Sequence, residues 1–281
     1  MKIGCFALIE PFRSIRRQFE AVAEMGIEYA DVTDTHDGAS LGVEAGFTPS
    51  TSLDSHPEDV RRMAEDAGLT LSTFCAHASL LNPASPSRYG TSEIVKAIRL
   101  ANLLGIEHVI TTEGEADTDF ARNLDPEERR LVIREKLQTP IRWAEELDVT
   151  LLLETHGPVT DDPDAMEALL DDLGHRDTIG ICLDTGNSWL GGADPVEYIE
   201  RFGQRIKHIH WKDLEPEWED KRGSIYGIGV ATIPLGDGIV DVRGVVSSLD
   251  NIGFNGCTTL ELAGKNNIQT SAERLKQWSQ S

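Results

Sequence analysis

Alternation is the feature that most constrains this chain. Eight short β-rich runs are visible: Lys2–Leu8, Ile27–Thr33, Leu69–Ala76, Ile106–Thr112, Val149–Glu154, Ile179–Asp184, Ile206–Lys212 and Cys257–Leu262. Helical periodicity follows each, near residues 12–25, 56–67, 87–104, 125–147, 163–173, 195–203, 241–252 and 270–279. Strict alternation of this kind is the signature of βα units around a parallel sheet. The junctions agree. Several helices close on glycine before the next strand, as in EMGIEYADV, DAGLTLSTF, LLGIEHVIT and NIGFNGCTTLEL, where a left-handed residue costs glycine little. Others open on an Asp-Pro step (Asp125-Pro126, Asp162-Pro163, Asp194-Pro195), an N-cap with proline at the first helical position.

Eight such units could close into a barrel or open into a doubly wound sheet. The open fold usually carries a glycine-rich phosphate turn after its first strand. Here that strand runs into Leu8-Ile9-Glu10-Pro11 instead. A barrel of this type needs about 250 residues, and the chain has 281 with no linker or low-complexity tract. The expectation is an α/β chain forming one (β/α)8 barrel domain over residues 1–281. The longest connection, residues 213–238 after the seventh strand, is of a length that usually serves function.

Charge and cysteine usage narrow the function classes. Forty-eight acidic against 26 basic residues give a net charge of −22, which repels polyphosphates and argues against nucleic-acid binding. RSIRRQ, at residues 13–18, reads as one helix face rather than a basic patch. Cys5, Cys75, Cys182 and Cys257 are scattered through apolar runs, the pattern of small core residues in a reducing compartment. MKIGCFALIE is too short and interrupted for a signal sequence, and no apolar run approaches the roughly 20 residues that span a bilayer. A soluble, cytoplasmic protein with no membrane partner is expected, with homo-oligomerisation left open.

The ends of the last four strands carry the chemistry. VTLLLETHG presents Glu154, IGICLDTGN Asp184, IKHIHWKD His210 and CTTLELAG Glu261. In a parallel barrel these ends ring one mouth. Side chains alternate along a strand, so Glu154 shares a face with Leu152, Asp184 with Cys182, His210 with His208 and Glu261 with Thr259. If that face is the inner one, the four converge near the axis. A single carboxylate at a strand end is usually a cap or an ion-pair partner. Four polar groups in consecutive apolar strands are a different matter. Three converging carboxylates repel and raise one another's pKa, and one divalent cation resolves this. Three oxygens with one imidazole suit Mn²⁺ best, with Mg²⁺ or Co²⁺ also suited, over a thiolate-rich zinc site.

In the combination LLLETHG, CLDTGN, HIHWKD and TLEL the chain resembles the xylose-isomerase-like TIM-barrel superfamily of sugar phosphate isomerases and epimerases, over nearly its whole length. Ketose 3-epimerases and inosose dehydratases are relatives in that group. The resemblance implies that Glu154, Asp184, His210 and Glu261 are the metal ligands and that Glu154 and Glu261 are also the catalytic acid/base pair. The implied activity is isomerisation or epimerisation of a small ketose or keto-polyol through a cis-enediolate that the cation stabilises. Two departures stand out. Asn187 occupies a position that is histidine in the epimerases, and the arginine expected soon after the seventh-strand histidine is absent from HWKDLEP. Both fit better an inosose-dehydratase-like or 3-keto-glycoside lyase that breaks a C–O bond β to the ketone. A DNA-repair endonuclease of the endonuclease IV type shares the barrel, but it needs three zinc ions and more ligands, and the charge opposes it. A non-catalytic subunit that keeps the barrel for assembly is a third class, disfavoured by the intact ligand set.

Further polar residues at strand ends are candidate substrate contacts: His77, Glu113, His156, Asn187, Lys212 and Trp189. His156 and Lys212 keep the inward parity of Glu154 and His210, and Lys212 could steady an enediolate oxygen. His108 and His208 read as lower-layer residues, and His36, His56 and His175 as exposed ones.

Overall fold

A computed structural model describes residues 1–33, 56–78, 80–82, 89–114, 116, 118–175 and 177–280. Its strands are β1 (Lys2–Phe6), β2 (Tyr29–Thr33), β3 (Thr70–Cys75), β4 (His108–Thr111), β5 (Thr150–Glu154), β6 (Ile179–Asp184), β7 (Ile206–Trp211) and β8 (Cys257–Leu260). They pair in sequence order, all parallel, and β8 closes on β1. The helices among the described residues are α1 (Ile15–Glu24), α2 (Pro57–Asp66), α3 (Tyr89–Leu104), α4 (Asp119–Asn123), α5 (Pro126–Glu146), α6 (Pro163–Leu173), α7 (Thr185–Leu190), α8 (Pro195–Phe202), α9 (Val242–Asn251) and α10 (Lys265–Trp278). The fold is the expected (β/α)8 barrel. None of these helices is long and apolar enough to cross a membrane.

The local signals act as read. Asp125, Asp162 and Asp194 each accept backbone N–H groups at a helix start with proline next in line, and Asp125 with Glu128 completes a capping box. Where the structure departs from expectation the cause is local. α1 starts at Ile15 rather than 12 because the Ser14 hydroxyl caps it. α10 starts at Lys265, five residues early, immediately after Gly264. The short helices α4 and α7 were not anticipated.

Two apolar layers hold the barrel. Outward strand residues such as Leu151, Leu153, Ile181 and Ile209 pack against helix residues such as Ile98, Leu137 and Leu170 in one continuous core. Inside, Phe6, Cys75, Ile110, Leu152 and Cys182 form a separate plug. Leu152 and Cys182 thus face the axis, which sets the parity of Glu154 and Asp184.

The long connection after β7 folds back on itself. The Asp213 carboxylate accepts from the backbone N–H groups of Leu214, Gly236, Gly238 and Val240 at 2.8–3.0 Å. Ala231 bridges to Leu262 just beyond β8, which brings the middle of the connection over the C-terminal mouth.

Candidate metal centre

One ligand atom from each of Glu154, Asp184, His210 and Glu261 lies within 4.8 Å of all the others, and all four residues are buried. Glu154 and Asp184 are the last residues of β5 and β6, and His210 is the penultimate residue of β7. Glu261 follows the last residue of β8, yet its N–H still bonds Trp211 O at 3.2 Å, so the strand geometry holds through it.

Asp184 does two jobs with two oxygens. Its Oδ1 accepts from Gly186 N (2.9 Å) and Asn187 N (2.8 Å), capping α7. That cap fixes the carboxylate plane and leaves Oδ2 facing the cluster. There Lys212 Nζ lies 2.7 Å from Asp184 Oδ2 and 3.0 Å from Glu261 Oε2. His210 Nδ1 lies 3.3 Å from both Glu154 Oε1 and Glu261 Oε2.

The electrostatics follow from burial and crowding. Burial, reinforced by Glu261 and Glu154 and opposed by Lys212, pushes the Asp184 carboxyl up to about 7. Burial also works against the charge on Glu154, but His210, His156 and His77 hold it well below the usual carboxylate range. Glu261 is lowered too, with Lys212 and His210 outweighing burial. Burial opposes the Lys212 ammonium, but Asp184, Glu261 and Glu154 raise its pKa above the ordinary lysine value.

In the protonation states that ligate, with His210 neutral and all three carboxylates ionised, one ammonium leaves an excess of two negative charges, the charge of one divalent cation. Asp184 Oδ2 and Glu261 Oε2 are buried with no hydrogen-bond partner among the described residues, although Lys212 pairs with each. The donor set therefore fits a divalent ion, with Glu154, Asp184, His210 and Glu261 able to hold it.

Four other sequence candidates line this group. His77 Nε2 is 3.1 Å from Glu154 Oε2, and His156 Nδ1 is 3.8 Å from Glu154 Oε1, so two imidazoles flank one carboxylate. Asn187 Oδ1 accepts from Ile228 N (3.0 Å) and Lys212 Nζ (3.4 Å). That fixes the amide so that Nδ2 faces His156 Nδ1 at 3.2 Å. Ile228 O accepts from Lys212 Nζ at 2.9 Å, so the long connection is tied to the centre through both residues. Gly227 makes this approach possible: its φ is 73°, and a Cβ there would sit 2.1 Å from His156 Nε2.

Two candidates are placed elsewhere. Glu113 is fully buried and accepts from Val159 N, Thr160 N and the Thr160 hydroxyl at 2.8–3.2 Å, so it anchors the turn after β5. Trp189 belongs to the apolar core, with the Arg222 guanidinium carbon 4.8 Å from its ring centroid. Trp211, one residue past His210, faces the helices by strand parity. His208 is fully buried in the lower layer and His108 is half-buried, while His56 and His175 are exposed. His36 lies outside the described residues.

Sequence reasoning missed Asp31. It is fully buried on β2, with ion-pair distances to His208 (3.3 Å) and His210 (4.0 Å). The available signal was an acidic residue inside the apolar run YADVT.

A cavity of about 360 Å³ opens beside His156, lined also by Arg122, Arg129, Pro158 and Tyr226, within the usual size of a small-molecule site. A cavity of about 420 Å³ at the other end of the barrel, bordered by Lys2, Ser72, His108 and Lys207, gathers no comparable ligand set.

Comparison with known proteins places this geometry. The family model described as xylose isomerase-like TIM barrel matches residues 19–278. An inosose dehydratase from Clostridium perfringens is 24% identical over 234 residues, covering 77% of this chain and 78% of that one. An inosose dehydratase from Lacticaseibacillus casei is 33% identical over 92 residues, and that match spans only 30% of each protein. Among solved structures, a D-tagatose 3-epimerase-like protein superposes with a TM-score of 0.76 at 20% identity, over 100% of this chain and 97% of that one. The IolI protein, solved with a binding zinc atom, gives 0.73 at 17% identity, over 100% and 95%. These two likenesses establish the fold. The family match covers most of the chain: it belongs to the xylose isomerase-like TIM barrel family and, like the inosose dehydratases it matches, it is an enzyme.

Proposed function

We propose that the protein is a divalent-metal-dependent enzyme that removes the proton next to the carbonyl of a small ketose or keto-polyol. The observation that carries this reading is Glu154: a buried carboxylate in the ligand cluster, flanked by His77 at 3.1 Å and His156 at 3.8 Å. A divalent cation held by Glu154, Asp184, His210 and Glu261 would polarise the carbonyl and its neighbouring hydroxyl, which acidifies the adjacent C–H. We take Mn²⁺ as that ion, with Mg²⁺ or Co²⁺ as alternatives, because three carboxylates and one imidazole make a hard donor set.

The chain's own residues then divide the work. Glu154 takes the α proton, kept ionised by its imidazole neighbours. Lys212, a buried ammonium, sets positive charge where an enediolate oxygen develops. Return of the proton, from Glu154 or from Glu261 on the opposite face, isomerises or epimerises the substrate.

A second fate is dehydration, and two observations favour it. The His156 ring, with Nδ1 3.8 Å from Glu154 Oε1, stands beside the base as a second group that could hand a proton to a departing β-hydroxyl. The relatives matched along 77% of this chain are inosose dehydratases.

The test is ¹H NMR in D₂O with Mn²⁺-loaded enzyme, recorded after ion removal, over a panel of ketoses and inososes. Deuterium entering an α carbon of recovered sugar establishes isomerase or epimerase chemistry, and loss of water to an unsaturated ketone establishes the lyase. Glu154→Gln should slow either by about 10²- to 10⁴-fold. No exchange and no elimination with any compound, with wild type and Glu154→Gln alike, overturns the reading.

A further inference from the structure

Below the ligand cluster the barrel holds a second polar layer that the chemistry above does not use. Asp31 on β2 is its centre and is fully buried. The Ser72 hydroxyl donates to Oδ1 and the Thr259 hydroxyl to Oδ2. His208 Nε2 lies 3.3 Å from Oδ2 and 2.7 Å from Thr259 Oγ1. Hydroxyl donors on both oxygens are what an ionised carboxylate collects. Among the described residues its ion-pair partners are His208 and His210 alone. An anion this deep is costly unless positive charge lies nearby.

His210 stands between the two layers. Its Nδ1 faces Glu154 and Glu261 at 3.3 Å, whereas its Nε2 faces Asp31 Oδ2 at 4.0 Å. Nε2 is buried and has no hydrogen-bond partner among the described residues. An imidazole that ligates through Nδ1 must carry its proton on Nε2, and that proton needs an acceptor. The thiols of Cys75 and Cys182 also approach the ring, but thiol sulfur accepts weakly. The carboxylate of Asp31, 4.0 Å away, is the anion on that side, and its own donors hold it in place.

We propose that Asp31 is a positioning residue for the metal centre. It acts through His210, fixing the tautomer that turns a bare Nδ1 to the ion and raising the basicity of that nitrogen. The divalent charge beyond the imidazole in turn compensates the buried carboxylate. This rests on the metal reading above.

The test compares metal-free wild type and Asp31→Asn by isothermal titration with Mn²⁺, alongside melting temperatures in EDTA. The substitution keeps the size and one acceptor oxygen but removes the charge, and the hydroxyl that meets the new amide nitrogen must turn to accept from it. The expected result is 10- to 100-fold weaker Mn²⁺ binding with the melting temperature in EDTA little changed. Unchanged affinity in a folded variant overturns the role of Asp31 and leaves the metal reading intact. Wild type that binds no Mn²⁺ overturns both. Should Asp31→Asn fail to fold, ¹⁵N NMR of the Zn²⁺-loaded wild type decides. His210 protonated at Nε2 and bound through Nδ1 supports the inference. The reverse tautomer, or two ions bridged by both nitrogens, overturns it.

Discussion

Lys212 shows how much one side chain decides at this site. It is fully buried, a position lysine almost never occupies unless paired. Its partners are Asp184 and Glu261, two of the four candidate ligands. Breaking a buried pair by removing one partner costs roughly 3–5 kcal/mol, because the charge left behind keeps its desolvation penalty. Lys212→Met should therefore destabilise the metal-free protein by about that amount in urea unfolding, and saturating Mn²⁺ should recover part of the loss. The inward parity of Lys212 was legible from its place two residues after His210, whereas its partners were not. Its chain neighbour Asp213 is not one of them: it binds the backbone of its own loop. Asp31 was illegible for a related reason. The parity argument ran along β5 to β8, whereas Asp31 comes from β2, which pairs with β1 and β3 and meets His210 only across the interior of the closed barrel.

At the scale of elements, caps and ligands turn out to share atoms. α7 is a six-residue helix whose sequence, Thr-Gly-Asn-Ser-Trp-Leu, has poor intrinsic helicity and is too short for a periodic pattern. It forms because Asp184 caps it, so nothing before closure of the loop would reveal it, whereas the longer helices with Asp-Pro starts and glycine ends were legible. Asparagine caps as well as aspartate, and alanine does not. Asp184→Asn should thus retain the helix and lose ion affinity. Asp184→Ala should lose both, and be about 1–2 kcal/mol less stable than the asparagine variant in metal-free unfolding. A second tie joins the loop after β1 to α1 and α10. Glu10 accepts from Arg17 Nε and Nη2 at 2.9 and 2.7 Å and from Lys265 Nζ at 2.7 Å. The Arg17 hydrogen bonds, then Lys265, lower its carboxyl to about 2. The folded value lies below the unfolded one, near 4.3. The stabilisation is therefore complete above the unfolded value and is lost as pH falls through the folded one. The melting-temperature gap between wild type and Glu10→Gln should hold from pH 7 to about 5 and close toward pH 2.

The whole molecule couples its closure to the ion. The four candidate ligands come from four consecutive strands, β5 to β8, and β8 is the strand that seals the barrel against β1. An ion gripping all four would bind the closed barrel and not the unfolded chain, in which those residues are scattered. Binding to the native state alone stabilises by about 2.7 kcal/mol when the free ion is at 100 times its dissociation constant. For a domain of this size each kcal/mol moves the midpoint by roughly 2–4 °C. Saturating Mn²⁺ should therefore raise the melting temperature by about 5–10 °C over the protein in EDTA, with the shift growing logarithmically with ion concentration. The Glu10 tie joins the loop after β1 to α1 and α10 through Arg17 and Lys265, neither of which pairs with a candidate ligand, so Glu10→Gln should show the same Mn²⁺-induced shift as wild type. A variant that binds the ion poorly, such as Asp184→Asn, should show little of it at the same concentration. Scanning calorimetry across an Mn²⁺ series separates the two behaviours. An equal shift in wild type and Asp184→Asn would mean that the ion stabilises the acidic surface and not the barrel mouth.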